Sequence, residues 1–544
     1  MLTAEGVSAF SRQVWDKVLS KVKKAVVFMD DRCTECLHWN GAVASLLEAG
    51  ARNLKQFSSF ESGGENEPKA VFVVSTLLKG RTADVIRDII RLSRFQYCVV
   101  FTAVPHSVHL LANDVSADLE GNPVFERFEE KLCEWMGNMN FTAEVMHAPV
   151  VLAPVAPQLV LLPAFGDLFP LLTDDLETIN RKRPEKKRLG SLVDLDMHCL
   201  PQELQIQIKT LASGLNAMFE FANVREESFA LGPLSRIIAG ELANHAQSKA
   251  RRKNAPNKAS VVFIDRTLDL TGAVGHHGDS LVEKILSVLP PLPGHRCDVQ
   301  VDMLELTDLP HTPETQGTLA PGCLAQPQDR AACALWEAML SGRQKEAVME
   351  VRRHLVEAAS KENLPIKMSM AVSCWIDWFI AQTLRHPHLP LWDTCLASER
   401  LLLQTLGDSD LPAVLKQIQS LVKGGAEGGA RWGLDELLVL LVYVYSVARE
   451  AGPEEEGARP EEEGAELELE ANTAQPPGRA QACLCSESLP VDPCFWVCRE
   501  EGCGSLSLSR AVQRQPKTPA LLSCGNQRSL PWVRPVPAGY STGP

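Results

Sequence analysis

At 544 residues the chain is too long for a single hydrophobic core, so two to four domains are expected. Its 45% hydrophobic and 22% charged residues are those of an ordinary globular protein and exclude a disordered or fibrous class. The net charge of -14 comes without a basic face, which excludes a typical nucleic-acid binder; nine glutamates from Glu454 to Glu470, opposed only by Arg459, supply about -8 of it.

Val7, Phe10, Val14, Leu19 and Val22 recur at helical spacing, predicting an opening helix over Val7–Val22. Ala25–Met29 is a short apolar run ending at Asp30-Asp31, the pattern of a buried strand, and a helix running to Ala49 is expected after Arg32. Lys69–Ser75 and Gln96–Thr102 are two further apolar strands, with a helix at Thr82–Phe95 between them and another at Phe125–Met136. Strands alternating with helices predict a parallel sheet covered on both faces, so residues 1–140 form a first α/β domain. The segments 143–149 and 150–162 are apolar and proline-laden and are expected to cross into a second domain over residues 141–290.

In that second span Leu204–Val224 and Leu234–Ala246 have the periodicity of long helices, leading into Ala259–Ile264, expected to be a buried strand. Asp265 and Arg266 follow at its carboxyl end, then Asp269; Asp279-Ser280 cap a helix whose inward face is Leu281, Val282, Ile285 and Leu286. The charged turn has two readings. Ligands of open α/β sheets bind beyond strand carboxyl ends, which would suit a metal or a base; alternatively Arg266 lies between the two acids and ties the turn together. His276 shows no carboxylate or thiol partner at ligand spacing. Asp298–Leu306 alternates like a strand, and beyond Pro310 helices are expected at 331–340, 346–361, 368–384, 395–406, 411–422 and 434–447, a mainly helical domain over 291–450. From about Ala451 the chain is rich in Pro, Gly, Ser, Arg and Cys without a sustained period, and 451–544 is expected to be a disordered tail.

Few features suggest chemistry. Cys33-Thr34-Glu35-Cys36 follows a strand and opens a helix, the setting of a redox pair, but its acidic neighbours raise thiol pKa values. The sixteen cysteines are expected to be reduced thiols, and Cys483, Cys485, Cys494, Cys498 and Cys503 are too irregularly spaced for a structural zinc site. No GxxxxGK[ST], GxGxxG or GxSxG motif is present, so no catalytic set, metal or cofactor is expected. The amphipathic N-terminus lacks the apolar core of a secretory signal, and the longest apolar runs, 149–165 and 437–448, are proline-broken or too short to span a bilayer.

Asp265, Arg266, Asp269 and His276 match the D-R-x-x-D-x-x-x-P-x-x-H segment of the SM proteins (Sec/Munc-type, syntaxin-binding), with Ala273 in place of the proline. The order of strands ending at Asp30, Thr76 and Thr102 resembles the first domain of the same family, and the likeness runs from about residue 8 to about residue 290. The resemblance implies a three-domain arch, with parallel α/β sheets in the first two domains and a largely helical third. It further implies a non-enzymatic role in vesicle-mediated transport: binding SNARE helices of the syntaxin type to promote docking and fusion, with a tethering complex as a second partner, at the cytoplasmic side of endomembranes. By the same resemblance Asp30 and Arg32 become candidate partner contacts, beside the reading in which they only cap the next helix. SM proteins complete their second domain with segments after the helical one. No such segment is recognisable here, so that domain is expected to be incomplete, with an exposed sheet edge. Two alternatives to the scaffold remain: an α/β enzyme using Asp265 and Asp269 or the Cys33/Cys36 pair, and a truncated form without function.

Overall fold

The apolar runs at the start of the chain become β1 (Val26–Met29), β3 (Lys69–Val74) and β4 (Tyr97–Thr102), joined by β2 (Asn53–Gln56) and β5 (Thr142–His147). In the computed structural model they form a parallel sheet of order β2-β1-β3-β4-β5. The structure describes residues 4–64, 66–115, 121–156, 158–168, 171–181, 183–276, 280–302, 319–321, 330–362, 380, 382–407, 414, 416–420 and 433–450. The expected helix at 411–422 lies partly outside these residues; that at 368–384 lies mostly outside them, and the tail 451–544 wholly.

The central strands read as unbroken apolar runs because helices cover both faces. On one face Val27, Met29, Val71, Val73, Val99 and Phe101 pack with α1 (Ala4–Leu19) and α2 (Asp31–Trp39). On the other, Val26, Phe28, Phe72, Val74, Cys98 and Val100 meet α4 (Arg81–Arg91) and α6 (Pro123–Met136). The helix expected to run to Ala49 is interrupted: α2 stops at Trp39 and α3 (Ala42–Glu48) restarts after Gly41, whose φ of 125° favours glycine. Asn40 fastens the break by donating to the carbonyls of Cys36 (2.7 Å) and Leu152 (2.9 Å). A further short helix, α5 (His106–Ala112), follows β4.

The first sheet extends past the boundary expected at residue 140, because β5 pairs along its whole length with β4. The chain then forms an antiparallel hairpin, β6 (Ala153–Ala156) and β7 (Leu159–Leu161), and α7 (Thr173–Arg181). In the next region α8 (Gln202–Phe221), β8 (Val224–Leu231), α9 (Pro233–Asn244), α10 (Ala246–Asn254) and β9 (Asn257–Ile264) form a unit in which β8 and β9 pair in parallel. Leu234, Ile237 and Ile238 of α9 pack with Leu195, Leu200 and Ile208 on its inner side.

The strand ending at Ile264 is not buried on both sides, as its composition suggested. Phe229 faces Val262 and Leu231 faces Ile264 across the ladder, and all four side chains lie open: Val262 is 54% and Ile264 60% exposed. An apolar sheet face is therefore uncovered among the described residues, next to strand edges with no described partner.

Beyond β9 come α11 (Leu270–Val274), α12 (Leu281–Val288), and the antiparallel pair β10 (Gln300–Asp302) and β11 (Leu319–Pro321). The helices α13 (Arg330–Ser341), α14 (Gln344–Glu362), α15 (Leu389–Gly407) and α16 (Leu434–Glu450) complete the described chain. The largest core takes residues from all three expected spans: Leu281, Val282 and Ile285 of α12 and Leu335, Trp336 and Met339 of α13 join the side chains of β1, α1 and α2. Trp336 donates its indole N–H to the Val155 carbonyl at 2.8 Å and packs 5.6 Å from Trp39, ring centre to ring centre.

Candidate functional site

In a sheet of order 2-1-3-4-5 the chain reverses direction between β1 and β3, and a crevice opens beyond their carboxyl ends. Asp30 ends β1 at that point. One carboxylate oxygen accepts the Cys33 amide (2.9 Å), capping α2; the other accepts the amide (2.5 Å) and hydroxyl (2.8 Å) of Ser75, just past β3. One acid thus caps a helix and closes the crevice between two strands. Ser75 carried no signal in the sequence, since only the sheet order brings it to Asp30.

Arg32, one residue into α2, points to a different part of the chain. Its guanidinium donates to the Gly294 carbonyl (3.3 Å) and lies 3.8 Å from Asp167. Arg296 pairs with the other oxygen of Asp167, so two cations share one carboxylate. Glu35, on the next turn of α2, accepts the amides of Arg296 (3.0 Å) and Cys297 (2.5 Å). Burial pushes the Glu35 carboxyl above its ordinary pKa, partly offset by those two amides. The loop at 294–297 is thereby held against α2, and Gly294 comes so close, at φ +82°, that a β-carbon there would meet the Asp31 carboxylate at 2.3 Å.

The residues of the second motif separate. Asp265 is buried and accepts the amides of Leu234 (3.1 Å) and Ser235 (2.7 Å) and the Ser235 hydroxyl (2.6 Å), holding the start of α9. Arg266 pairs with Asp269 at 3.0 Å on the surface, and Asp269 caps α11 through the Gly272 amide at 2.8 Å. The expectation that Arg266 ties both acids together is corrected to this extent: Asp265 serves a helix thirty residues upstream instead. His276, for which the sequence offered no carboxylate partner, has one in Glu399 of α15, 2.6 Å from its ring nitrogen, with its backbone amide donating to the same carboxylate at 2.8 Å. No local pattern could have revealed Glu399, 123 residues away.

Cys33 and Cys36 are fully enclosed in the largest core, and burial pushes both thiols well above their ordinary pKa. A redox or nucleophilic thiol needs access and a lowered pKa. Neither condition is met by this pair, and Asp265 is occupied in capping, so neither proposed catalytic set is assembled.

No family model matches the chain. Over 484 residues it is 52% identical to the human (Homo sapiens) Sec1 family domain-containing protein 2, a match covering 82% of this chain and 71% of the relative. Among solved structures it resembles the SM protein Vps45, with a TM-score of 0.53 at 12% identity, covering 82% of this chain and 72% of the other. It also resembles Sly1p, crystallised in complex with an N-terminal peptide of Sed5p, with a TM-score of 0.50 at 13% identity, covering 82% and 69%.

Proposed function

The chain belongs to the SM family, and from that premise we propose that it acts in intracellular vesicle-mediated transport by binding SNARE helices of the syntaxin type, promoting docking and fusion. The observation that carries the reading is kinship at 52% identity across 82% of the chain. A scaffold of this kind lowers the cost of ordering helices that are disordered before they assemble, and needs no covalent step. We take it to be non-enzymatic, with the acids and thiols that could have served catalysis committed to capping and core packing.

Within the site, Arg32 is the residue we assign to partner contact. Its side chain is 25% exposed and held by a long ion pair, which a partner carboxylate can replace. Asp30 then acts as a positioning residue, since both its oxygens are spent inside the fold. A SNARE as the partner class, and a tethering complex as a second partner, are proposed on family grounds. Peripheral attachment to endomembranes is proposed on the same family grounds; no described helix is long and apolar enough to cross a membrane.

The test is a binding assay between the immobilised chain and recombinant cytoplasmic segments of a panel of syntaxin-type SNAREs, run beside a version ending at Ala451 and an Arg32→Glu variant. At least one SNARE should bind both lengths, and Arg32→Glu should weaken it by roughly ten- to a hundredfold, the loss of one charge-assisted contact. Failure of every SNARE to bind chains with native circular dichroism would overturn the proposal.

A further inference from the structure

Beneath α2, on the side facing the loop at 294–299, three metal-ligating side chains converge. Asp298 offers one carboxylate oxygen to two imidazoles: His295 Nδ1 lies 3.3 Å from it and His38 Nδ1 4.0 Å. The three ligand atoms all fall within 4.8 Å of one another. These side chains are sequestered, at 10%, 5% and 1% exposure for His38, His295 and Asp298. His38 Nδ1 is buried with no hydrogen-bond partner among the described residues, an unusual state for an imidazole nitrogen.

We infer that His38, His295 and Asp298 form a structural zinc site that fastens the loop at 294–299 to α2. Two nitrogens and one carboxylate oxygen are a donor set suited to zinc. Bonds of about 2.0–2.1 Å in tetrahedral geometry set ligand atoms roughly 3.3 Å apart. The His295–Asp298 distance already has that value, and the His38–Asp298 pair needs to close by less than about an ångström.

The surroundings are built as supporting shells around metals are. Glu35, one turn before His38 on the same helix, accepts the amides of Arg296 and Cys297, fixing the backbone between the two loop ligands. Asp298 turns its other oxygen to the Val299 amide at 3.0 Å, which orients the carboxylate. A small, mainly apolar cavity lined by Trp39, Cys297, Asp298, Val299 and Trp336 lies beside Asp298, and a tetrahedral zinc held by these three side chains would take its fourth ligand from water. The same loop carries Gly294 and Arg296, which flank Arg32 and Asp167. Zinc would therefore stiffen the surface around Arg32 without touching it.

The test uses the full chain with Cys483, Cys485, Cys494, Cys498 and Cys503 replaced by serine, so that tail thiols do not compete. After chelator treatment and dialysis the protein is titrated with zinc chloride by calorimetry, with metal content counted by mass spectrometry. One equivalent should bind and raise the thermal midpoint, and both effects should vanish in the His38→Gln/His295→Gln double variant. X-ray absorption at the zinc edge of the otherwise unmodified chain, loaded with one equivalent, is independent of whether that variant folds; it should show a nitrogen and oxygen shell. Absence of uptake, an undiminished equivalent in the double variant, or a shell of sulfur alone would overturn the inference.

Discussion

Replacing Asp265 with alanine should loosen the start of α9 by about 3 kcal/mol. The carboxylate accepts two buried amides and a hydroxyl, so three donors lose their acceptor together. Removal of a capping side chain costs about 1 kcal/mol, and each donor left buried and unpaired adds about 1–3 kcal/mol. The Ser235 hydroxyl, itself 2.6 Å from the carboxylate, can rotate to recover one amide, which keeps the total toward the lower end. Hydrogen exchange of the Leu234–Ile238 amides reads this locally, where about 3 kcal/mol corresponds to an acceleration of roughly a hundredfold. Asp265→Asn keeps the shape and one acceptor and should cost about half as much. Exchange unchanged within about twofold in the alanine variant, or equal losses in both variants, would refute the capping argument. The outcome also bears on function, because an enzyme relying on Asp265 as a base would lose turnover in Asp265→Asn while α9 stayed mostly protected.

Glu226 and Arg251 form a buried pair at 3.0 Å, with Arg251 also donating to Asn216 at 2.6 Å. Glu226→Ala should cost about 3–5 kcal/mol in urea unfolding by leaving a buried guanidinium unpaired, and the Glu226→Met/Arg251→Met double variant should cost less; a double variant worse than the single would contradict this. Stability should also fall in mild acid. Burial holds the imidazoles of His109 and His147 down at about 4, so the folded protein takes up their protons less readily than the unfolded chain. Their contribution is fully present above about pH 6.5 and drains away as pH falls toward about 4, up to roughly 3 kcal/mol for His109. His109 accepts the Leu78 amide at 3.1 Å through Nε2, and His109→Gln, which keeps an acceptor there, should flatten the dependence; a urea midpoint that does not move between about pH 7 and pH 5 would argue against it.

The sequence revealed those elements whose burial is two-sided and those closed by local contacts. β1, β3 and β4 were legible because both faces meet helices, so composition alone marks them. The edge strand β2 (Asn-Leu-Lys-Gln) was missed because it is polar and half-exposed, as edges must be to avoid pairing with strangers. The break after Trp39 does carry a signal, the Asn40-Gly41 dipeptide, although the helix is expected to run on to Ala49. β9 misled in the opposite way: its residues are apolar on both faces, but only one face is covered among the described residues. Asp30 as a helix cap was readable from its position before α2, whereas Ser75, Glu399 and Gly294 meet their partners only through the tertiary fold.

The setting of Arg32, beside the crevice rather than within it, bears on the partner contact proposed for it. At the β1–β3 reversal the Asp30 carboxylate is engaged by the Cys33 amide and by the Ser75 amide and hydroxyl, so it is already committed within the fold. What remains at the surface is a guanidinium braced by the Gly294 carbonyl and by Asp167, which Arg296 also holds. Those braces come from segments far apart in sequence that share one core with α2, so the guanidinium is positioned before any partner arrives. Preorganisation of this kind lowers the entropy that binding must overcome, and the exposed ion pair to Asp167 is weak enough for a partner carboxylate to displace. On the proposed reading, such a site favours an extended or helical acidic surface laid across α2 over a substrate drawn into a pocket. The same reading makes the loop at 294–297 a positioning element for Arg32, since Gly294 can approach Asp31 only without a β-carbon.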